Sequence, residues 1–124
     1  MTQMETALSE AMSTIEGAIG VALVDYTSGM ALATLGDPQT FDLNVAAAGN
    51  TDVVRAKLRT MEMLELKGAI EDMLITLTSQ YHIIRPLTGK SGNGLFLYLV
   101  LDRKRANLAL ARHRLARLEA DLEV

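Results

Sequence analysis

The tripeptide Gly89-Lys90-Ser91 matches the end of a phosphate-binding loop, in which backbone amides and a lysine surround phosphate groups. The full motif needs another glycine five positions earlier, but Ile84 stands there. A helix must also follow, because its N-terminus helps to bind phosphate, whereas the sequence after Ser91 has the pattern of a strand. The tripeptide therefore predicts a connecting loop and no nucleotide site.

Two histidines are the next candidates, since imidazole is a common metal ligand and general base. His82 and His113 fall in different predicted elements, and neither has an acidic residue or a second histidine at metal-binding spacing. We interpret His82 as an ordinary strand residue and His113 as part of a helix surface. The adjacent Glu71 and Asp72 would point to opposite faces of a strand, which suits a solvated strand start better than a paired acid and base.

The nucleophilic side chains do not indicate catalysis either. Ser28, Ser79 and Ser91 lie in predicted turns and lack the strand-to-helix motif that exposes a catalytic serine. The chain has no cysteine, which excludes thiol catalysis, disulfides and cysteine-ligated zinc. We therefore expect no catalytic residue, no metal, no cofactor and no enzymatic activity. The lack of cysteine also favours a cytoplasmic location.

Length and composition place the chain among folded soluble domains. Its 124 residues fit a single domain spanning 1–124, and its hydrophobic fraction of 49% is ample for a core. The longest apolar run, at 95–101, is far shorter than the ~20 residues that cross a bilayer, so we expect no membrane insertion. The opening MTQMETALSE lacks the basic start and apolar stretch of a secretory signal, in line with a cytoplasmic protein.

The net charge of −3 conceals a basic C-terminal region. It contains half of the twelve Lys and Arg residues, namely Arg103, Lys104, Arg105, Arg112, Arg114 and Arg117. Such a cluster could attract phosphates or an acidic partner, but a solvated helix face is the favoured interpretation. The few aromatic residues are scattered and form no regular pattern with the basic residues, so we expect no nucleic-acid partner.

Hydrophobic periodicity divides the chain into helices and strands. The predicted order is a helix at 2–16, strands at 18–25 and 30–35, a helix at 42–66, strands at 70–78, 81–87 and 95–101, and a helix that starts at Asp102 or nearby. Thr2 can cap the first helix, and Asp42 or Thr40 the central one, which Lys67-Gly68 can end. The order α-β-β-α-β-β-β-α predicts an α/β (α+β) fold, with helices flanking a five-stranded antiparallel sheet.

The central helix has more apolar surface than one sheet can cover. One apolar row is interrupted by Asn50 and consists of Leu43, Ala47, Val54, Leu58 and Met61. A second row, here called the small-residue strip, consists of Val45, Gly49, Val53, Ala56, Thr60 and Met63. Gly49 within a helix costs about 1 kcal/mol relative to alanine, which is tolerated where another backbone approaches closely. We favour a contact with another molecule over cover by loops of the same chain.

A second candidate surface is the strand segment Met73, Leu74, Ile75, Thr76 and Leu77. At the edge of a sheet it would expose unpaired backbone groups, and it has no lysine or proline of the kind that protects such edges. Pairing with the same strand of another copy would satisfy those groups.

The chain resembles the roadblock domain family in the order of its elements and in three apolar segments. These segments are Gly20-Val21-Ala22-Leu23-Val24-Asp25, Ser28-Gly29-Met30-Ala31-Leu32-Ala33 and Leu95-Phe96-Leu97-Tyr98-Leu99-Val100-Leu101. The resemblance implies a dimer formed through the central helix and the third strand, with one sheet continuous across both copies. The corresponding residues are Val45, Gly49, Asn50, Val53, Ala56, Thr60, Met63, Met73, Leu74, Ile75, Thr76 and Leu77.

The resemblance also implies a function, because bacterial members of the family resemble regulators or scaffolds of small Ras-like GTPases. The leading hypothesis is a homodimeric, non-enzymatic adaptor that binds such a GTPase. No arginine finger can be assigned, since Arg55 and Arg59 are equally explained as a solvated helix face. The alternative is a small-molecule sensor domain, which predicts a cavity lined by the sheet and a ligand that raises the melting temperature.

Overall fold

A computed structural model describes residues 2–88 and 93–122, so the Gly89-Lys90-Ser91 tripeptide lies outside the described residues. Its elements are α1 (Gln3–Thr14), β1 (Ala18–Asp25), β2 (Met30–Gly36), α2 (Leu43–Met63), β3 (Met73–Thr76), β4 (Gln80–Pro86), β5 (Leu95–Asp102) and α3 (Leu108–Asp121). The predicted order of elements is confirmed. No helix in these described ranges is both long and apolar enough to cross a bilayer.

The strands form one antiparallel sheet in the order β2-β1-β5-β4-β3. β5 is the central strand, and its residues from Phe96 to Leu101 are at most 1% exposed. Burial on both faces explains why its sequence is a continuous hydrophobic run without alternating polar residues.

Two hydrophobic clusters cover the two faces of the sheet. α1 and α3 pack on one face, against strand residues that include Val21, Leu23 and Leu99. α2 packs on the other face, where Ala22, Val24 and Tyr98 lie. The alternation of these residues along β1 and β5 places successive side chains on opposite faces.

α1 and α2 each begin after a polar capping residue that the sequence predicted. Thr2 Oγ1 accepts a hydrogen bond from the Glu5 amide at 3.1 Å. Asp42 Oδ1 accepts from the Asn44 and Val45 amides, each at 3.1 Å, which selects Asp42 over Thr40 as the cap of α2.

The predicted end of α2 at Lys67-Gly68 is wrong, because the helix stops at Met63. Glu65 adopts a φ of 55°, and the Leu66 amide donates back to the Met61 carbonyl at 2.9 Å. This is a Schellman arrangement with glutamate where glycine is the usual residue, so composition did not reveal it.

Other element boundaries also differ from the prediction. The strand expected at 70–78 is limited to Met73–Thr76, so Leu77 follows the strand and its amide donates to the Gln80 carbonyl at 2.9 Å. Asp102 does not start the last helix but ends β5, and Asn107 caps α3 instead, accepting from the Leu110 amide at 3.1 Å.

Candidate interaction surface

α2 crosses one half of the sheet and packs mainly against β1 and β2. It buries Leu43, Ala47, Thr51 and Val54. Thr51 was absent from the predicted apolar row, but its hydroxyl donates to the Ala47 carbonyl at 2.8 Å and so needs no other partner. The buried row is therefore narrow, and it includes one polar side chain whose hydroxyl already has a hydrogen-bond partner.

The small-residue strip lies outside this buried row. Val45 is 68% exposed and Met63 69%, and Gly49, Val53 and Ala56 are exposed as well. Thr60 is half-buried, and its hydroxyl donates to the Ala56 carbonyl at 2.9 Å. Among the residues that the structure describes, no loop covers the strip, so its apolar surface faces outward in the single chain.

Within the described chain, no packing contact requires glycine at position 49. A Cβ placed on Gly49 would meet nothing within 4 Å, outside the helix's own backbone. Glycine at this helical position nevertheless costs about 1 kcal/mol relative to alanine. The small size of residue 49 is thus unused by the packing of the monomer.

β3 is the last strand of the sheet and pairs only with β4 in the described chain. Leu74 is 38% exposed, and Thr76 and Leu77 are exposed beside it. Met73 and Ile75 are half-buried and pack against the cluster that α2 covers. α2, which carries the small-residue strip, and the Met73 and Ile75 side chains therefore lie on the same face of the sheet.

An open cleft of about 400 Å³ lies between α2 and the sheet. Its lining consists of Phe41, Asp42, Val45, Ala46, Gly49, Asn50, His82 and Tyr98. Inside the cleft, His82 Nδ1 is 2.9 Å from the Tyr98 hydroxyl, and His82 Nε2 is 2.9 Å from Gln80 Oε1. Sequence reasoning missed this arrangement because the register of β4 against β5, which brings His82 and Tyr98 together, has no local sequence signal.

The hydrogen bonds and burial favour neutral forms of both rings. Because Gln80 Oε1 can only accept, Nε2 of His82 donates to it, and Nδ1 accepts from Tyr98. Burial lowers the pKa of His82 below its ordinary 6.5. Burial also raises the pKa of Tyr98 to about 12, partly opposed by a hydrogen bond with Asn50. This chain of hydrogen bonds fixes side chains and does not provide an activated nucleophile.

The basic C-terminal region is not simply a solvated face. Arg112 makes a bidentate ion pair with Asp72, at 2.8 Å for both N–O distances, and the Asp72 side chain is only 10% exposed. Asp72 therefore does not mark a solvated strand start. Arg103 donates to the Leu77 carbonyl at 3.0 Å, whereas His113 is exposed on the helix surface as predicted. In the described ranges, no three His, Asp or Glu side chains are grouped to hold a metal ion.

The described residues form an α/β domain whose central helix has an exposed apolar strip and whose β3 edge has no strand partner. Solved structures of other proteins share this fold. A roadblock/LC7 domain from Streptomyces avermitilis matches with a TM-score of 0.79 and 15% identity, over 96% of this chain and 93% of that one. Myxococcus xanthus MglB matches with a TM-score of 0.73 and 17% identity, over 95% and 86%. The gliding protein MglB of Thermus thermophilus gives 0.70 and 19%, over 97% and 90%.

The chain therefore has the fold of a roadblock/LC7 domain. The resemblance stated from the sequence is confirmed at the level of fold, which is what a likeness at such identities establishes. No protein-family model matches the chain, and no curated protein matches it.

The neutral His82 predicts a specific dependence of stability on pH. A histidine whose pKa is lower in the folded chain binds its proton more readily when unfolded. The free energy of unfolding is then fully retained above pH 6.5 and falls as the pH drops through the folded pKa. The free energy of unfolding is measured with urea between about pH 7 and about pH 5. Its decline should be smaller for His82→Gln than for wild type. The control His113→Gln should keep the full decline, and parallel profiles for wild type and His82→Gln would contradict the assignment.

Proposed function

We propose that this protein is a non-enzymatic regulator that forms a homodimer and binds a small Ras-like GTPase. The observation that carries the proposal is the exposed small-residue strip of α2, together with the unpaired edge of β3 in the described chain, on a roadblock/LC7 fold. The proposed dimer contact is the full set of residues predicted from the sequence, namely those on α2 and those at 73–77. The expected cytoplasmic location stays a prediction.

The strip supports a contact between two copies of α2. Its exposed members are apolar or small and carry no charge, so the same patch can face itself across a twofold axis without repulsion. Gly49 would let the two helix backbones approach closely, which gives this glycine the role that the monomer lacks.

The edge of β3 supports the second half of the same contact. Its outward backbone groups have no strand partner among the described residues, and an antiparallel copy of β3 would supply one. The two sheets would then join into one. Half-buried Met73 and Ile75 would gain cover from the partner, which adds hydrophobic burial to the backbone pairing.

The GTPase part of the proposal depends on resemblance. Bacterial roadblock members resemble regulators of Ras-like GTPases, and the likeness of the fold to MglB proteins supports the same class of role. The absence of an activated nucleophile in the described cleft is compatible with a partner that supplies the chemistry itself. Arg55 and Arg59 are both exposed, and neither is assigned a catalytic role.

The dimer is tested by a substitution in the strip. Gly49→Leu should leave the monomer fold intact, because the added Cβ meets no neighbour outside the helix backbone, but it should separate the two helices. We expect a loss of about tenfold or more in dimer affinity, measured by sedimentation over a concentration series. The matched control is Ala48→Leu, on the arc of α2 that also carries Arg55 and Arg59. A monomeric wild type at micromolar concentration, or a Gly49→Leu dimer of full strength, would count against this interface.

The GTPase is tested by nucleotide-dependent binding. Small Ras-like GTPases of the source organism are purified, loaded with GDP or a non-hydrolysable GTP analogue, and titrated against the protein by calorimetry. Binding that differs between the two nucleotides is expected, because a regulator must distinguish the two states of its target. If none of these GTPases binds in either state, the regulatory role is wrong even if the dimer is correct.

The cleft supports a second candidate function, that of a small-molecule sensor. Phe41, which offers a ring for stacking, and Asn50, which offers an amide, both line this open cleft. A flat ligand with polar edges, such as a nucleoside or an aromatic amino acid, should then raise the melting temperature of wild type. The increase should be smaller for Asn50→Ala. Since Val45, Gly49 and Asn50 also belong to the proposed dimer contact, a bound ligand should weaken dimerisation.

A further inference from the structure

β3 is a short strand with support on one side. It has 4 residues, and in the described chain it is hydrogen-bonded only to β4. Short edge strands open more easily than central strands, because few backbone bonds and few buried contacts hold them. Something else must hold β3 in a fixed position if it is to serve as a template for another strand.

An ion pair holds the segment directly before β3. Arg112 on α3 donates from Nε to Asp72 Oδ2 and from Nη2 to Asp72 Oδ1, both at 2.8 Å. Asp72 immediately precedes Met73, the first residue of the strand. The two parallel hydrogen bonds fix the orientation of the Asp72 carboxylate as well as its distance from the Arg112 guanidinium, whereas a single hydrogen bond fixes only the distance.

A second arginine holds the segment directly after β3. Arg103 donates from Nη1 to the Leu77 carbonyl at 3.0 Å, and its guanidinium carbon lies 5.4 Å from the centre of the Tyr81 ring. The Arg103 amide also donates to the Ser79 carbonyl at 3.0 Å. Both ends of the edge strand are therefore tied to the chain that follows β5.

α3 is itself firmly placed, so it can hold another element. Ala111, Leu115 and Leu118 are buried on its inner face. Near its C-terminal end, Glu119 accepts from Arg85 Nε at 2.6 Å and from the Thr88 amide at 2.9 Å. The ion pair to Asp72 thus connects β3 to a helix that is anchored on β4 and on the core.

We infer that Arg112 and Arg103 are positioning residues that hold the β3 edge ready for a second copy of this chain. The inference rests on the proposed dimer and assigns a role to the C-terminal segment, which sequence analysis left as a solvated basic face. If β3 were not held in the monomer, the loss of its freedom would occur on dimerisation and reduce the affinity. Arginine suits residue 112 better than lysine does, since lysine does not reproduce the bidentate geometry.

The test compares Arg112→Gln with Arg114→Gln, which removes the same charge from an exposed position on the same helix. Sedimentation gives the dimer affinity, and hydrogen exchange gives the protection of the β3 and β5 amides. For Arg112→Gln we expect an affinity about tenfold weaker and faster exchange in β3 with unchanged exchange in β5. Arg114→Gln should match wild type. Arg112→Lys should fall between the two, and Arg103→Gln should act in the same direction as Arg112→Gln.

The outcomes separate this inference from the proposed function. If the wild type is a dimer and Arg112→Gln has the same dimer affinity, the positioning role is wrong but the proposed dimer is still supported. Equal loss of protection in β3 and β5 would also overturn it, because that result indicates a general role in folding. A monomeric wild type would overturn the proposed dimer, and β3 exchange in the monomer would then decide alone whether Arg112 holds the strand.

Discussion

Strand β5 occupies the middle of the sheet, with Phe96 to Leu101 buried from both sides. A strand of this kind is stable only when both faces of its sheet are covered, since its side chains alternate between them. Two helices, α1 and α3, cover one face, and α2 alone covers the other. The placement of every helix follows from this need.

Because two helices pack on one face of the sheet and only one on the other, part of the second face is less well covered. α2 packs mainly over β1 and β2, so the face over β4 and β3 has less helical cover. Phe41 partly fills this space, packing edge-on to His82 with ring centres 5.6 Å apart. The cleft and the half-buried residues Met73 and Ile75 are consequences of one helix covering a five-stranded sheet.

Some polar groups in this structure are paired by contacts between distant parts of the chain. His82 and Tyr98 are 16 positions apart, and Asp72 and Arg112 are 40 apart. Among the described residues, no buried side-chain nitrogen or oxygen is without a hydrogen-bond partner. These pairings give polar and charged side chains structural roles.

The sequence by itself determined the order of the elements, the cap at Thr2 and the apolar excess of α2, because periodicity and capping are local properties of the chain. Tertiary structure alone decided that α2 ends at Met63, shortly before a left-handed Glu65, that Thr51 is buried, and that distant charges and rings meet. Those features depend on strand register and helix placement, which bring together residues whose spacing along the chain carries no period.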